Sequence, residues 1–244
     1  MSTEIAKDTL VERIPPRGTT TKTPPLENGD RLTRSEFELR YEAMPDIKKA
    51  ELIEGVVHMP SPVRFNAHAE PHSHIVSWLV NYCAATPGVR VADNSTLRLD
   101  LDNEPQPDAA LLLAESAGGQ VRIGEDDYLE GAPELIVEVA SSSASYDLHD
   151  KLNAYRRNGV AEYVVWRVED REIDWFVLDA ERYQRVSPDS EGVIESRKFP
   201  GLRLCVSALL GGDLSRLLSE LQVGLASQEH AAFVRKLASP VRSA

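Results

Sequence analysis

The sequence predicts an α/β fold in a single domain, with a β-sheet flanked by helices. Residues 107–114 (PDAALLLA) and 135–140 (LIVEVA) are nearly continuous apolar runs. Runs of this length, bounded by Pro or Gly, read as central strands covered on both faces. Ile75, Trp78, Leu79, Tyr82 and Cys83 recur at helical spacing, as do Leu148, Leu152 and Tyr155, which predicts two amphipathic helices. The 244 residues show no internal repeat and no clear second domain.

The elements follow in order. Residues 1–30 read as a flexible arm, because Pro15-Pro16, Gly18, the Thr19–Thr21 run, Pro24-Pro25 and Gly29 disfavour regular structure. Thr33 as N-cap and Glu36 three residues on form a capping box, starting a short helix through about Ala43. Residues 50–59 (AELIEGVVHM) read as a hairpin-like strand element turning at Gly55, ended by Pro60 and Pro62. Pro71 suits the first turn of the next helix, which runs to about Ala85 and stops at Pro87-Gly88.

Short strands are expected at 89–92 and 96–101, the latter because Leu97, Leu99 and Leu101 alternate with Arg98 and Asp100. An amphipathic helix covers 146–158, with Gly159 as its C′ residue. Residues 162–168 (EYVVWRV) read as a strand, and 173–178, 183–186 and 193–196 continue as a meander. Helices are expected at 207–210 and 214–223, and a last surface helix or tail at 229–237. The resulting organisation is an arm (1–30), one domain (31–222) and a C-terminal helix or tail (223–244).

Composition limits the function. No run of eighteen apolar residues occurs, so no transmembrane helix is expected. Residues 1–10 carry Glu4 and Asp8 and lack an apolar core, which predicts no signal peptide. The two cysteines, Cys83 and Cys205, form no CxxC pair and read as buried thiols suited to a reducing cytoplasm. A net charge of −12 argues against a protein that grips DNA chiefly through phosphate contacts. It leaves room for an enzyme whose acidic centre holds a metal ion.

Asp108 and Glu138 each sit near an end of an apolar run. A carboxylate inside an apolar strand costs several kcal/mol unless paired or metal-bound. Two brought close repel and raise one pKa, and a divalent cation between them removes that penalty. Hard oxygen donors suit Mg²⁺ or Mn²⁺ better than Zn²⁺.

The order ELIEG (51–55), PDAALLL (107–113), PELIVEVAS (133–141) and DLHDKLNAYRRNGVAEYVVW (147–166) resembles the Uma family of restriction-endonuclease-like proteins, in the PD-(D/E)xK superfamily. The resemblance covers roughly 31–210 and is most specific over 133–166. It implies a restriction-endonuclease-like mixed sheet and a metal-dependent endonuclease hydrolysing phosphodiester bonds in DNA. Pro107-Asp108 matches the "PD" element and Glu138 the second acid. The superfamily's lysine position is Ala140 here, a departure from the parent motif, and Lys151 on the following helix matches a migrated lysine. The resemblance therefore implies Asp108, Glu138 and Lys151 as catalytic residues. It implies Asp108, Glu138 and Glu51 as ligands of Mg²⁺ or Mn²⁺, with the Val139 carbonyl beside them. Tyr155, one turn after Lys151, and His72 near a helix start are candidate lining residues. A homodimer follows by analogy, since cutting two strands usually takes two centres.

Blander readings stand beside these. Asp108 would cap a strand entry, and Lys151 would form a helical surface pair with Asp147. Arg156-Arg157 would be a solvated helix end rather than a phosphate clamp, and Trp166 and Trp175 would be core. Arg64 and Arg98 are possible backbone contacts that nothing in the sequence singles out. His58, His68, His72 and His74 raise a zinc site, although HExxH is absent and Pro71 is expected to separate His68 from the helix of His72. A catalytically inactive nuclease fold used for binding or assembly is the main rival, favoured by the charge and by Ala140.

Overall fold

The computed structural model describes residues 23–59, 62–141 and 143–239. Residues 1–22 of the expected arm lie outside the described residues. Leu26, within its expected span, is buried, and Gly29 donates to the Val57 carbonyl.

Helix α1 (Arg34–Glu42) starts at Thr33 as expected, but no capping box closes. The Thr33 hydroxyl lies 3.2 Å from that of Ser35, and Glu36 pairs forward with Arg40 instead of reaching back. Strands β1 (Glu51–Ile53) and β2 (Val56–His58) form an antiparallel hairpin. Its two turn residues, Glu54 and Gly55, both have positive φ, 53° and 70°, the geometry of a tight primed turn.

A π-helical turn, Phe65–Ala69, runs straight into α2 (Glu70–Ala85). Pro71 therefore does not separate His68 from His72, contrary to expectation. Wider i→i+5 bonds, such as Ala69 N–H to the Arg64 carbonyl, enter the helix ahead of the proline. A π turn is one way to bring a chain into helix without the clash a proline ring makes inside regular α geometry. Helix α2 buries Ile75, Trp78, Leu79 and Tyr82 completely, each worth roughly 1.5–3 kcal/mol of apolar burial.

Next come β3 (Val89–Asp93), β4 (Leu97–Arg98), β5 (Ala109–Leu113), β6 (Arg122–Ile123), β7 (Leu129–Glu130) and β8 (Leu135–Ala140). The strand expected over 96–101 shrinks to β4, which joins β7 and β6 in a small side sheet. Strands β5 and β8 are buried at every residue, as two-faced central strands must be. The helix expected over 146–158 is three pieces in one segment: α3 (Ala144–Tyr146), a second π turn (Asp147–Lys151) and α4 (Leu152–Arg157). Strands β9 (Glu162–Arg167), β10 (Glu172–Asp179) and β11 (Arg182–Val186) form the expected meander.

Strand β12 (Val193–Glu195) does not extend that meander. It pairs with β13 (Arg203–Cys205), because Glu162 accepts the N–H groups of Arg197 and Lys198 and folds the connection back. Helices α5 (Val206–Leu210), α6 (Leu214–Leu225) and α7 (Gln228–Leu237) follow. Helix α6 buries Leu217 and Leu221 and crosses the expected boundary at residue 222, while α7 places His230 against Tyr82.

The main sheet has the order β11-β10-β9-β8-β5-β3 and is mixed. Only β8 and β9 run parallel; the other pairs are antiparallel. Helices α2 and α6 cover one face, and the segment of α3 and α4 covers the other, where Tyr155 and Tyr163 pack. Cys205 is buried, whereas Cys83 is only half-buried; burial raises its thiol pKa, consistent with an unreactive thiol.

Candidate active site

Sheet register brings the two acids to one end. Ala109 pairs with Val137 across β5 and β8, so one further step sets Asp108 opposite Glu138. Asp108 accepts a backbone hydrogen bond at the strand entry, as the capping reading expects, and also faces two cationic side chains. Its Oδ2 accepts the Val139 N–H at 2.8 Å, while Oδ1 faces Lys49 Nζ at 3.6 Å and His68 Nε2 at 3.5 Å.

Lys151 is only 3% exposed. Its Nζ lies 2.9 Å from Glu138 Oε1, 3.0 Å from Glu51 Oε1 and 3.8 Å from Asp147 Oδ1. The Asp147 pair is thus real but interior rather than a surface bridge. Tyr155 donates its hydroxyl to Glu138 Oε1 at 2.9 Å. Both hydrogen bonds to Glu138 fall on Oε1, so Oε2 accepts none among the described residues. Glu51 is fixed by the backbone N–H of Gln106 at 2.7 Å. Glu51, Asp108, Glu138, Lys151 and Tyr155 therefore meet in one place, from β1, the lead into β5, β8, the second π turn and α4. His72 stands one layer back, with Nε2 2.9 Å from the Asp108 carbonyl and 3.0 Å from Asp93 Oδ1.

Three groups escaped the sequence reading. Asp147 is buried and accepts from Ser143 Oγ at 2.6 Å. Its spacing from Lys151 gave a signal, but the signal pointed to a surface pair. His68 was set aside because of Pro71, yet its ring stacks on His72 with centroids 5.6 Å apart. Lys49 carried no signal, since a lysine before a strand is ordinary.

The electrostatics are unbalanced. Glu51, Asp108, Glu138 and Asp147 are all buried; among the described residues Lys151 is the one buried ammonium, and it meets three of them, while Asp108 faces Lys49 and His68. Burial, then repulsion from Asp108, Asp147 and Glu51, pushes Glu138 up to about 8 against the pull of Lys151. Burial also raises Asp147, opposed by Lys151 and by the Ser143 hydrogen bond. Burial works to lower Lys151, but Glu138, Glu51 and Asp147 outweigh it and hold it well above the usual lysine range. The centre therefore keeps its ammonium charged and draws a proton into its carboxylates.

That surplus of hard oxygen donors fits a divalent cation. The side chains as placed do not close around one: among the described residues, no group of three His, Cys, Asp or Glu converges on a point. The histidine zinc site is likewise not assembled. His58 stacks on Tyr146 with centroids 4.1 Å apart, away from the His68–His72 pair.

Several bland readings hold. Arg157 makes a two-pronged pair with Glu54, and Arg156 caps the Glu181 carbonyl. Trp175 is fully buried and donates to Glu162, and Trp166 is buried. Arg98 is engaged by Glu38 and Asp126, while Arg64 precedes the first π turn.

A family model described as "Uma2: Putative restriction endonuclease" matches residues 34–207. The chain belongs to the Uma2 family. The matched span runs from α1 into α5 and contains every candidate residue named above. No curated protein matches this Uma2 chain. Among similar solved structures is that of "a putative nuclease belonging to DUF820 from Anabaena variabilis ATCC 29413". It shares 14% identity, covers 74% of this chain and 98% of its own, and has a TM-score of 0.55. That likeness shows the fold, a mixed sheet of restriction-endonuclease type. Among the described residues, no helix is long and apolar enough to cross a membrane.

Proposed function

We propose that this Uma2 protein is a divalent-metal-dependent endonuclease that hydrolyses phosphodiester bonds in DNA. The observation that carries the reading is Lys151. It lies thirteen residues beyond Glu138, yet its Nζ reaches Glu138 and Glu51 within 3.0 Å, at the sheet end where Asp108 precedes the strand-paired Ala109. A lysine and three acids gathered at one sheet end is the chemistry phosphodiester hydrolysis needs.

Asp108, Glu138 and Glu51 would hold Mg²⁺ or Mn²⁺, which when bound would polarise a phosphoryl oxygen and acidify water. Lys151 has three donors. Those not taken by carboxylates orient water or meet negative charge growing on the phosphoryl oxygens, a contribution of a few kcal/mol to the barrier. Tyr155 anchors Glu138 Oε1 and so leaves Oε2 as its reactive edge. His72 braces the Asp108 backbone and positions that acid.

Two active centres would cut both strands, so a homodimer is part of the proposal. Two free cysteines suit a reducing cytoplasm. One observation favours a second reading, a binding or assembly module: Lys151 is sealed in ion pairs. The deciding assay is Mg²⁺- or Mn²⁺-dependent cleavage of plasmid and single-stranded DNA by wild type and Glu138→Ala. Cleavage lost in the variant supports the nuclease. No cleavage, or equal cleavage by both, supports the module.

A further inference from the structure

We infer that the cavity between the first π turn and the end of α5 is a pocket for an unstacked nucleobase, met by the indole N–H of Trp166. The inference rests on the DNA reading above and deepens it by giving one base a place.

An unused donor points to the pocket. Buried indole N–H groups usually find an acceptor. Trp78 donates to the Arg203 carbonyl and Trp175 to Glu162. Trp166 is 5% exposed, yet its Nε1 has no acceptor among the described residues and is not sealed from solvent. The residue lines a cavity of about 240 Å³, and the free N–H opens into it. Trp166 therefore offers its edge, while its ring belongs to the core.

The remaining lining selects the ligand. Leu209 and Leu210 supply an apolar wall, Asn66 brings a donor and an acceptor, and Glu70 and Arg171 carry opposite charges that offset each other. A phosphate site would hold an excess of positive charge. Donors and acceptors set around an apolar wall are how the edge of a base is met. The cavity is smaller than the roughly 300–1,000 Å³ of pockets for drug-sized ligands, so its occupant is one ring system and not a whole nucleotide.

Position ties the pocket to the carboxylates. Trp166 pairs with Val139 across β9 and β8, and Val139 donates its N–H to Asp108. Asn66 shares the first π turn with His68, which faces Asp108. Next to Asn66 stands Phe65, 68% exposed and the one exposed phenylalanine of the five. The turn fixes its backbone, since the Phe65 carbonyl accepts the Glu70 N–H. An aromatic ring held out to solvent in this way is a stacking surface for a neighbouring base. Contacts to bases need no excess of basic residues, in keeping with the net charge of −12.

The test uses the full chain without metal, so that binding is read apart from cleavage. The three tryptophans give three indole signals in a nitrogen–proton NMR correlation spectrum, and Trp166→Phe identifies its own by loss. Should that variant not fold, Trp166 is the indole whose proton exchanges fastest, the other two being buried and hydrogen-bonded. The probes are adenosine, thymidine, deoxyribose phosphate and single-stranded DNA. A nucleoside and the DNA should each move the Trp166 signal and leave those of Trp78 and Trp175 in place, and deoxyribose phosphate should move none. Phe65→Ala should weaken DNA binding by about fivefold or more with an unchanged salt dependence, because no charge is lost. DNA that binds while the Trp166 signal stays put overturns the inference and leaves the DNA reading standing. So does a signal moved equally by deoxyribose phosphate, since the pocket would then recognise phosphate. Full affinity in Phe65→Ala removes the stacking surface from the proposal. Wild type that binds neither DNA nor nucleoside overturns both readings.

Discussion

Replacing Glu138 by Gln should make the metal-free protein more stable at pH 8 while changing it little at pH 5. In the native state, burial and neighbouring carboxylates push Glu138 from 4.5 to about 8. The native form thus holds a proton that the unfolded chain releases between those values. Stability is fully present below the unfolded pKa and falls as pH rises through the native one. At about 1.4 kcal/mol per unit, less the half-titrated upper end, the window from pH 5 to pH 8 carries about 3.5 kcal/mol. At pH 5 a protonated Glu and a Gln are near-isosteres, and the Gln oxygen can accept from Lys151 and Tyr155 in the same way. Urea denaturation in EDTA at pH 5, 6, 7 and 8 measures both proteins. Wild type should fall steeply relative to the variant, so that the two separate by about 3.5 kcal/mol at pH 8. Glu104, also pushed up by burial, titrates in both proteins and cancels in the difference. Parallel curves would refute the crowded-carboxylate account.

Other perturbations follow from the same geometry. Lys151→Met removes the ammonium that Glu51, Glu138 and Asp147 share; it should cost about 3–5 kcal/mol at pH 8 and clearly less at pH 5, where Glu138 is protonated, and equal losses in urea would contradict this. Glu162→Ala strips acceptors from Arg197 N–H, Lys198 N–H, Ser196 Oγ and Trp175 Nε1. With each orphaned donor costing about 1–3 kcal/mol, it should lower Tm by well over 5 °C in calorimetry, and a Tm near wild type would remove Glu162 from the fold's support. Gly201→Ala places a Cβ 2.7 Å from the Gly224 carbonyl oxygen at a φ of +84°; it should destabilise by at least about 1 kcal/mol, read as a lower denaturation midpoint.

Much of this fold was legible because central strands and amphipathic helices leave periodic traces. The runs at 107–114 and 135–140 gave β5 and β8, and with them the facing acids. Pairing partners were not legible. Nothing local distinguishes β12 adding to the meander from β12 pairing with β13, since a buried glutamate at position 162 makes the choice. The two π turns were also invisible. Each adds a residue to a helical turn without changing composition, and each carries a site side chain, His68 or Lys151. A rule that proline starts a new helix therefore placed His68 wrongly. Ala140 marked the lysine as displaced, and only the three-dimensional arrangement shows Lys151 reaching the same acids from the covering helix.

The acidity of the chain takes on a different meaning once the site is built. A net charge of −12 weakens long-range attraction for DNA, but the buried part of that charge is local and directional. Three buried carboxylates share one buried ammonium with a fourth, Asp108, nearby, and Glu138 is pushed up to about 8. An apolar or neutral packing of the same volume would generally be at least as stable, so the fold tolerates a centre that weakens it at neutral pH. A divalent cation bound there would remove repulsion that the empty protein carries, and by linkage it would stabilise the native state as RT ln(1 + [L]/Kd). A hydrolase of the kind proposed would use such a centre to hold its cation, a use that a binding module on this scaffold would not have. On that ground the crowded carboxylates weigh more heavily for catalysis than the overall charge weighs against it.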